Sequence, residues 1–191
     1  MIGRSASLRI AAIAALVIAF STPVAAAPIG GPSQITPSTT MTYGGFTIAQ
    51  IADGITSDVS PFNGFAATPG LVGTIRLDLN AAYDLSSFVL WNDINVYAEG
   101  VKTFRLDFFD AANASLGSTP VLTAAISTLA AQTFTFGSPV AGVKRVDFVV
   151  LTLNPSPCCG LRLEVREVAF NGDVATPAEP ATWGRIKGTY R

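Results

Sequence analysis

The chain has 191 residues, with 12 Lys and Arg against 13 Asp and Glu, and it contains no histidine. Its apolar fraction of 49% and charged fraction of 13% exclude an intrinsically disordered chain. The near-neutral charge without a basic cluster argues against nucleic acid as a partner. The lack of histidine removes Ser-His-Asp and Cys-His catalysis, so any enzyme would rely on carboxylates and any metal site would be rich in oxygen.

The first 26 residues have the pattern of a secretory signal peptide. Arg4 and Arg9 supply positive charge, and the apolar run 10–20 is too short to span a bilayer, which takes about 20 residues. Small residues before Ala27 offer a peptidase site after Ala26. We expect export, with a retained N-terminal anchor as the alternative.

The next segment, residues 27–42, is rich in Gly, Pro, Ser and Thr. This composition predicts a flexible leader or an extended edge. We place one β-sandwich domain over residues 43–173 and a Pro- and Ala-rich tail over residues 174–191.

Alternation of apolar and polar residues dominates the predicted domain. In the first such segment Ile75, Leu77 and Leu79 alternate with Arg76 and Asp78. The segments of this kind are 74–80, 86–92, 102–110, 132–137, 144–153 and 161–170. Period-two patterning between turn residues predicts an all-β fold, an antiparallel β-sandwich of the jelly-roll type. The sequence does not decide whether residues 119–132 form a helix or two strands. Their Ala and Leu content favours a helix, whereas their Thr and Ile content does not.

The order of motifs along the domain resembles the discoidin-like, or coagulation-factor C-type, galactose-binding jelly roll. The matching motifs are the Asp53-Gly54 turn, the strand Ile75–Leu79, Tyr83, the strand end Leu90–Asn92 and the Phe-rich strand Phe104–Phe109. The resemblance covers about residues 43–171 and implies a carbohydrate-binding role. Where that family has a Trp after the Asp-Gly turn, this chain has Phe62 or Phe65.

Many carbohydrate-binding members of this fold hold a structural calcium beside the Asp-Gly turn, and the resemblance implies such a site here. Asp53, Thr56, Ser57 and Asp58 place oxygen ligands of the kind that calcium prefers in one loop. The family's glutamate on the last strand corresponds to Glu167. The predicted metal set is therefore Asp53, Thr56, Asp58 and Glu167, and a plain Asp-capped turn is the alternative.

The last strand also carries Glu164. In a regular strand Glu164 and Glu167 would lie on opposite faces, because side chains alternate. We prefer Glu167 as the ligand because it interrupts the apolar pattern beside Val168.

The stretch "PFNGF" places two aromatic residues around an Asn-Gly turn. Exposed rings stack on sugar faces, which makes Phe62, Asn63 and Phe65 candidate ligand-binding residues. A hairpin turn with both rings in the core is the alternative.

The two cysteines, Cys158 and Cys159, are adjacent. In an oxidising compartment they can form a vicinal disulfide, although neighbouring Cα atoms are closer than ordinary bridges require. Intermolecular bridging and free thiols are the alternatives.

The stretch "TPAEPATW" resembles the start of the PEP-CTERM sorting signal of exopolysaccharide-producing Gram-negative bacteria. Ala178 stands in place of the first Pro, and residues 184–191 are too few to cross a bilayer. We therefore expect no membrane anchor after signal cleavage, and a degenerate or truncated sorting signal.

These observations predict an exported, non-enzymatic module, extracellular or in the cell envelope, that binds carbohydrate or exopolysaccharide and carries a structural Ca²⁺. A structural or adhesive matrix protein is the first alternative. An accessory polysaccharide hydrolase that uses an acid pair such as Asp107 and Asp110, or Asp93 and Glu99, is the second, although solvated charge explains these acids better.

Overall fold

A computed structural model describes residues 27–42, 45–95, 99–126, 128–156 and 160–176. These residues form antiparallel strands and one 3₁₀-helix, Ile48–Ala52, with no α-helix among them. The strands are β1 Ala27–Ile29, β2 Ile35–Ser38, β3 Phe65–Ala66, β4 Thr74–Asn92, β5 Val101–Phe109, β6 Ser115–Ser118, β7 Leu122–Thr123, β8 Gln132–Leu153, β9 Pro155–Ser156, β10 Gly160–Leu161 and β11 Glu164–Val174. The predicted all-β class is confirmed.

Two long strands, β4 and β8, run through both layers of the sandwich. One layer joins β2, residues 74–79 of β4, residues 143–153 of β8, and β5 with β6 and β7. The other joins β1 and β3 to β11, and β11 to residues 83–92 of β4. The pairing of β4 with β8 shifts register between Asp78 and Tyr83, where the strands pass from one layer to the other.

Aromatic rings fill the space between the layers. Phe88 of one layer lies 5.3 Å, centroid to centroid, from Phe148 and 5.7 Å from Phe104 of the other. All three side chains are fully buried. The alternation predicted for β4 and β5 is confirmed, because the alternating apolar residues of 75–79 and 104–108 face this core. The buried apolar set of these two segments is Ile75, Leu77, Leu79, Phe104, Leu106 and Phe108.

The outer face of the first layer carries an Arg-x-Asp pair on each of three neighbouring strands. The three ion pairs are Arg76–Asp78 at 2.8 Å, Arg105–Asp107 at 2.7 Å and Arg145–Asp147 at 3.2 Å. Each pair brackets an inward apolar residue, so the alternation sorts charge to solvent and apolar side chains to the core.

The flexible leader predicted over residues 27–42 is wrong, and the alternative of an extended edge describes the segment. β1 pairs with β11 and β2 pairs with β4. Ile29 and Ile35 are buried at 2% and 1% exposure, so this segment closes the core despite its Gly and Pro content. The sheet accordingly begins at Ala27 rather than at residue 43.

The segment 119–132, left open between helix and strands, contains the short strand β7 and no helix among its described residues. No helix in the described part of the chain is long and apolar enough to span a membrane. The predicted signal peptide, the sorting motif and the pair Cys158 and Cys159 lie outside the described residues.

Candidate ligand and metal sites

Loops gather at the end of the sandwich where β4 finishes and β11 begins, which we call the loop end. Val165 of β11 lies opposite Asn92 of β4, and Glu164 lies opposite Ala66 of β3. The backbone N–H of Asp93 donates to the carbonyl of Glu164 over 3.3 Å. The start of β11 therefore touches the loops on both of its sides.

Three charged residues at the start of β11 are buried. Glu164, Arg166 and Glu167 are 4%, 1% and 3% exposed. Buried charges are rare in proteins unless they are paired or bind a ligand. This stretch is thus the first place to look for a functional site.

A β-bulge at Arg166 sets the direction of these side chains. Val165 opposes Asn92 and Glu167 opposes Trp91, which leaves Arg166 as the extra residue. Directly opposed residues share a face, so Val165 lies on the face of Asn92 and Glu167 on the opposite face, that of Trp91. Glu164 precedes Val165 by one residue, so it also lies on the face of Trp91. The expectation from regular alternation, opposite faces for the two glutamates, is wrong because of the bulge.

The structure brings Glu167 against the Asp53-Gly54 turn. The N–H of Gly54 donates to Glu167 Oε1 over 3.3 Å, and the buried Oε2 has no hydrogen-bond partner among the described residues. Burial raises the pKa of Glu167 to about 8; the Gly54 hydrogen bond opposes this rise and the charge of Asp53 adds to it. Glu167 and Thr56 also line an open cavity of about 280 Å³ beside Trp91.

Asp53 also holds its own loop together. Its Oδ1 accepts the N–H of Ile55 at 2.9 Å and the side-chain amide of Asn63 at 3.1 Å. Asn63 donates in addition to the carbonyl of Gln50 at 3.1 Å. The capped turn that was the alternative to a metal site is therefore present, and it still leaves Asp53 Oδ2 free of these bonds.

Gly64 lets this loop reach β11. Its φ is +140°, and a Cβ there would lie 2.7 Å from the carbonyl oxygen of Val165. Only glycine permits so close an approach of two backbones.

Asp58 does not join the predicted metal set. Its side chain is 47% exposed, and Oδ2 lies 3.9 Å from Nη1 of the buried Arg166. A guanidinium beside a carboxylate competes with a cation for it, so the prediction of Asp58 as a ligand is corrected. Asp53 and Glu167 are brought together, and Thr56 lines the same cavity as Glu167.

The two aromatic residues of the "PFNGF" stretch lie in different environments, Phe65 in the core and Phe62 at the surface. Phe65 is 1% exposed and lies in the core, which corrects that prediction. Asn63 is 7% exposed and lines the same cavity as Phe62, while its side-chain amide bonds to Gln50 and Asp53. Phe62 is 40% exposed and lines an open cavity of about 450 Å³ with Gln50, Ser57 and Ser60. Phe62 remains a candidate.

A second acidic group lies at the loop end. The sequence suggested Asp93 and Glu99 only as an acid pair of a hydrolase, with solvated charge preferred, and did not group them with Glu164. Asp93, Glu99 and Glu164 each place a carboxylate oxygen within 4.8 Å of the others, and all three are buried. They are the one such group of three that the described residues contain. The pKa of Glu164 is raised to about 7, first by burial and then by the neighbouring Glu99 and Asp93, while Arg162, 3.5 Å away, opposes the rise.

Tight backbone geometry holds this acidic group. Asp93, at φ +70°, accepts the N–H of Asn95 on Oδ1 and that of Glu99 on Oδ2, each at 3.0 Å. Gly100, at φ +86°, passes so close to Asn92 that a Cβ would lie 2.5 Å from the Asn92 Oδ1. The signal in the sequence was an acid directly after β4 and another just before β5, at the two ends of one short connection.

No protein-family model matches the chain, and no curated protein matches it. Solved structures do share its fold. The family 32 carbohydrate-binding module of Clostridium perfringens NanJ, solved with galactose, aligns with a TM-score of 0.60 at 14% identity over 77% of this chain and 98% of that one. The Clostridium perfringens module CpGH89CBM32-5, in complex with GalNAc-β-1,3-galactose, aligns at 0.56 and 14% identity over 72% and 94%.

A third solved structure is the F5/8 type C domain of a Bacteroides fragilis protein. It aligns with a TM-score of 0.55 at 12% identity over 74% of this chain and 93% of that one. At these identities the likeness shows the fold alone. The predicted galactose-binding-like jelly roll is confirmed.

Proposed function

We propose that this chain is a non-enzymatic carbohydrate-binding module that recognises sugar at the loop end, on the surface around Phe62. The fold is shared with modules whose solved structures contain galactose or GalNAc-β-1,3-galactose. The observation that carries the proposal is the half-exposed ring of Phe62 in an open cavity, which it shares with polar side chains and with the apolar Ile55, Val59 and Pro61.

The chemistry of the Phe62 surface suits a sugar ring. A pyranose presents an apolar face of C–H groups and an edge of hydroxyls, so it is bound by an aromatic ring with hydrogen-bonding groups around it. Phe62 supplies the ring, and Gln50, Ser57 and Ser60 supply polar groups on the same cavity.

The loop that carries Phe62 is fixed before any ligand arrives. Asn63, next to Phe62, bonds to Gln50 and Asp53, while Phe65 is anchored in the core. A loop held in its binding conformation loses less entropy when it binds, so affinity is higher for the same contacts.

We propose further that Asp53, Thr56 and Glu167 hold a structural Ca²⁺. The support is the buried Glu167 Oε2, which has no hydrogen-bond partner in the part of the chain that the structure describes. The Asp53 carboxylate interacts with Glu167, and Thr56 lines the same cavity as Glu167. These are the oxygen donors that Ca²⁺ prefers. The ion would tie the 53–64 loop to β11 and so stabilise the Phe62 surface without contacting the sugar.

The proposed setting is outside the cytoplasm, with a polysaccharide or the cell-envelope matrix as partner. The support is the signal-peptide pattern and the PEP-CTERM-like motif of the sequence. Fractionation of a Gram-negative host that expresses the whole gene tests this, and a full-length chain retained in the cytosol would contradict it.

The experiment for the binding function is an array of glycans and bacterial exopolysaccharides probed with the purified chain, in calcium and again in chelator. We expect binding in calcium that weakens in chelator. A folded chain that binds no glycan in either condition would overturn the proposal and favour the adhesive matrix protein. Release of reducing sugars from a bound polysaccharide would instead indicate a hydrolase.

A further inference from the structure

We propose that Asp93, Glu99 and Glu164 form a second Ca²⁺ site, separate from Asp53 and Glu167. It joins the strand ends of β4, β5 and β11 at the loop end. It is independent of whether the Phe62 surface binds sugar.

The spacing of the three carboxylates suits one ion. Ca²⁺ binds oxygen at about 2.3–2.6 Å, so two ligands on opposite sides of it are separated by about 5 Å. One oxygen from each of Asp93, Glu99 and Glu164 lies within 4.8 Å of the other two. A single ion can therefore contact all three.

Glu164 gives a second and independent indication of a missing partner. It is 4% exposed, and its Oε2 is buried with no hydrogen-bond partner among the described residues. Its Oε1 meets Arg162 Nη1 only at 3.5 Å. A buried carboxylate oxygen without a partner is unfavourable, and a bound cation removes that cost.

The local charge also favours a divalent cation. The cluster holds three carboxylates, and Arg162 is the guanidinium in contact with it. The next cation, Arg166, interacts with Asp93 but is paired with Asp58, so these two cancel. Three carboxylates gathered around one position are the arrangement that a divalent cation such as Ca²⁺ favours.

The cluster is held in place from three directions. Asp93 follows β4, Glu99 precedes β5, and Glu164 begins β11. The side chain of Asn92 clamps the start of β5, accepting from Val101 N–H at 2.9 Å and donating to its carbonyl at 2.7 Å. Because β5 belongs to one layer and β11 to the other, an ion here would link the two layers of the sandwich.

Direct counting of bound calcium tests the proposal. Equilibrium dialysis of the metal-depleted full chain against ⁴⁵Ca²⁺ should give two ions per chain. Glu164→Gln should lose one ion, the double variant Asp53→Asn with Glu167→Gln should lose the other, and the combination should bind none. Asp173→Asn, an exposed acid on the same strand, is the matched control and should keep both.

Folding is checked separately, so that a loss of binding is informative. In chelator Glu164→Gln should melt no lower than the parent, since it removes a charge from a crowded acidic cluster. Glu99→Gln serves as a second variant if Glu164→Gln does not fold. The second site would be overturned if folded Glu164→Gln and Glu99→Gln both still bind two ions. It would also be overturned if the parent binds one ion and the double variant Asp53→Asn with Glu167→Gln loses it.

Discussion

Glu164 and Glu167, three residues apart on β11, lie on the same face of the strand, because the bulge at Arg166 inserts one residue between them. Glu167 meets the Asp53-Gly54 turn, whereas Glu164 meets Asp93 and Glu99. One irregularity in one strand thus creates two buried acidic positions at the loop end, on either side of a buried arginine.

The stability of the calcium-free protein should fall as the pH rises. Burial raises the pKa of Glu167 to about 8 and that of Glu164 to about 7, from an ordinary value of 4.5. The folded state therefore holds protons that the unfolded state has released, so the stabilisation is complete below about pH 4.5 and is lost as the pH rises toward 8. Urea unfolding in chelator at pH 5 and pH 8 measures this.

Calcium should reduce this pH dependence, because a bound cation replaces the proton on each carboxylate. Glu167→Gln should flatten the curve in chelator, since the amide does not titrate. Equal stability of the parent at pH 5 and pH 8 in chelator would show that the two glutamates are not protonated in the folded state.

Substitution of Asp53 separates its two roles. Asp53→Ala removes hydrogen bonds to Ile55 and Asn63 in every condition, at a cost of about 1–3 kcal/mol. If Asp53 also binds calcium, the fall in melting temperature should be larger in calcium than in chelator. Paired melting curves of Asp53→Ala and the parent measure it, and an equal fall in both conditions would remove Asp53 from the metal site.

Gly100 should tolerate no side chain. Its φ of +86° disfavours other residues, and a Cβ would lie 2.5 Å from Asn92 Oδ1 and 2.9 Å from the carbonyl of Glu164. We expect Gly100→Ala to lower the free energy of unfolding by about 2 kcal/mol or more. Gly137→Ala, where a Cβ meets nothing within 4 Å, is the control and should change it far less. Similar stability of the two variants in urea would contradict the geometry of the loop.

The ring of Phe88 should be among the most stabilising in the core, since it contacts both layers. It is fully buried and lies 5.3 Å from the rings of both Phe148 and Phe170. Phe88→Ala should cost about 3–5 kcal/mol of unfolding free energy. Denaturant titration measures the loss, and a cost below about 1 kcal/mol would mean that the layers do not pack on this ring.

The alternating strands could be predicted from the sequence because each places its apolar residues at every second position. The continuity of β4 could not. The predicted segments 74–80 and 86–92 leave residues 81–85 between two strands, yet Tyr83 is buried and pairs with Val143 and Val174. Pairing with distant strands overrides local preference here, as it commonly does in sheets.

The candidate sites were only partly predictable for a similar reason. The contact of Gly54 with Glu167 followed from a family resemblance, since the two residues are far apart in the sequence. The cluster of Asp93, Glu99 and Glu164 required knowledge of which strand ends meet. The bulge that places Glu164 and Glu167 on one face could not be predicted, because the period-two pattern assumes a regular strand.

The most direct test of the proposed function compares Phe62→Ala with Leu116→Ala on the glycan and exopolysaccharide array in calcium. Leu116, 39% exposed on β6, matches the 40% exposure of Phe62 but lies away from the loop end. Both variants should fold with little loss of stability, because each side chain is already half in water. We expect Phe62→Ala to weaken glycan binding at least tenfold and Leu116→Ala to leave it unchanged. Unchanged glycan binding by a folded Phe62→Ala would contradict the proposed surface, and no binding by the parent chain would contradict the proposed function.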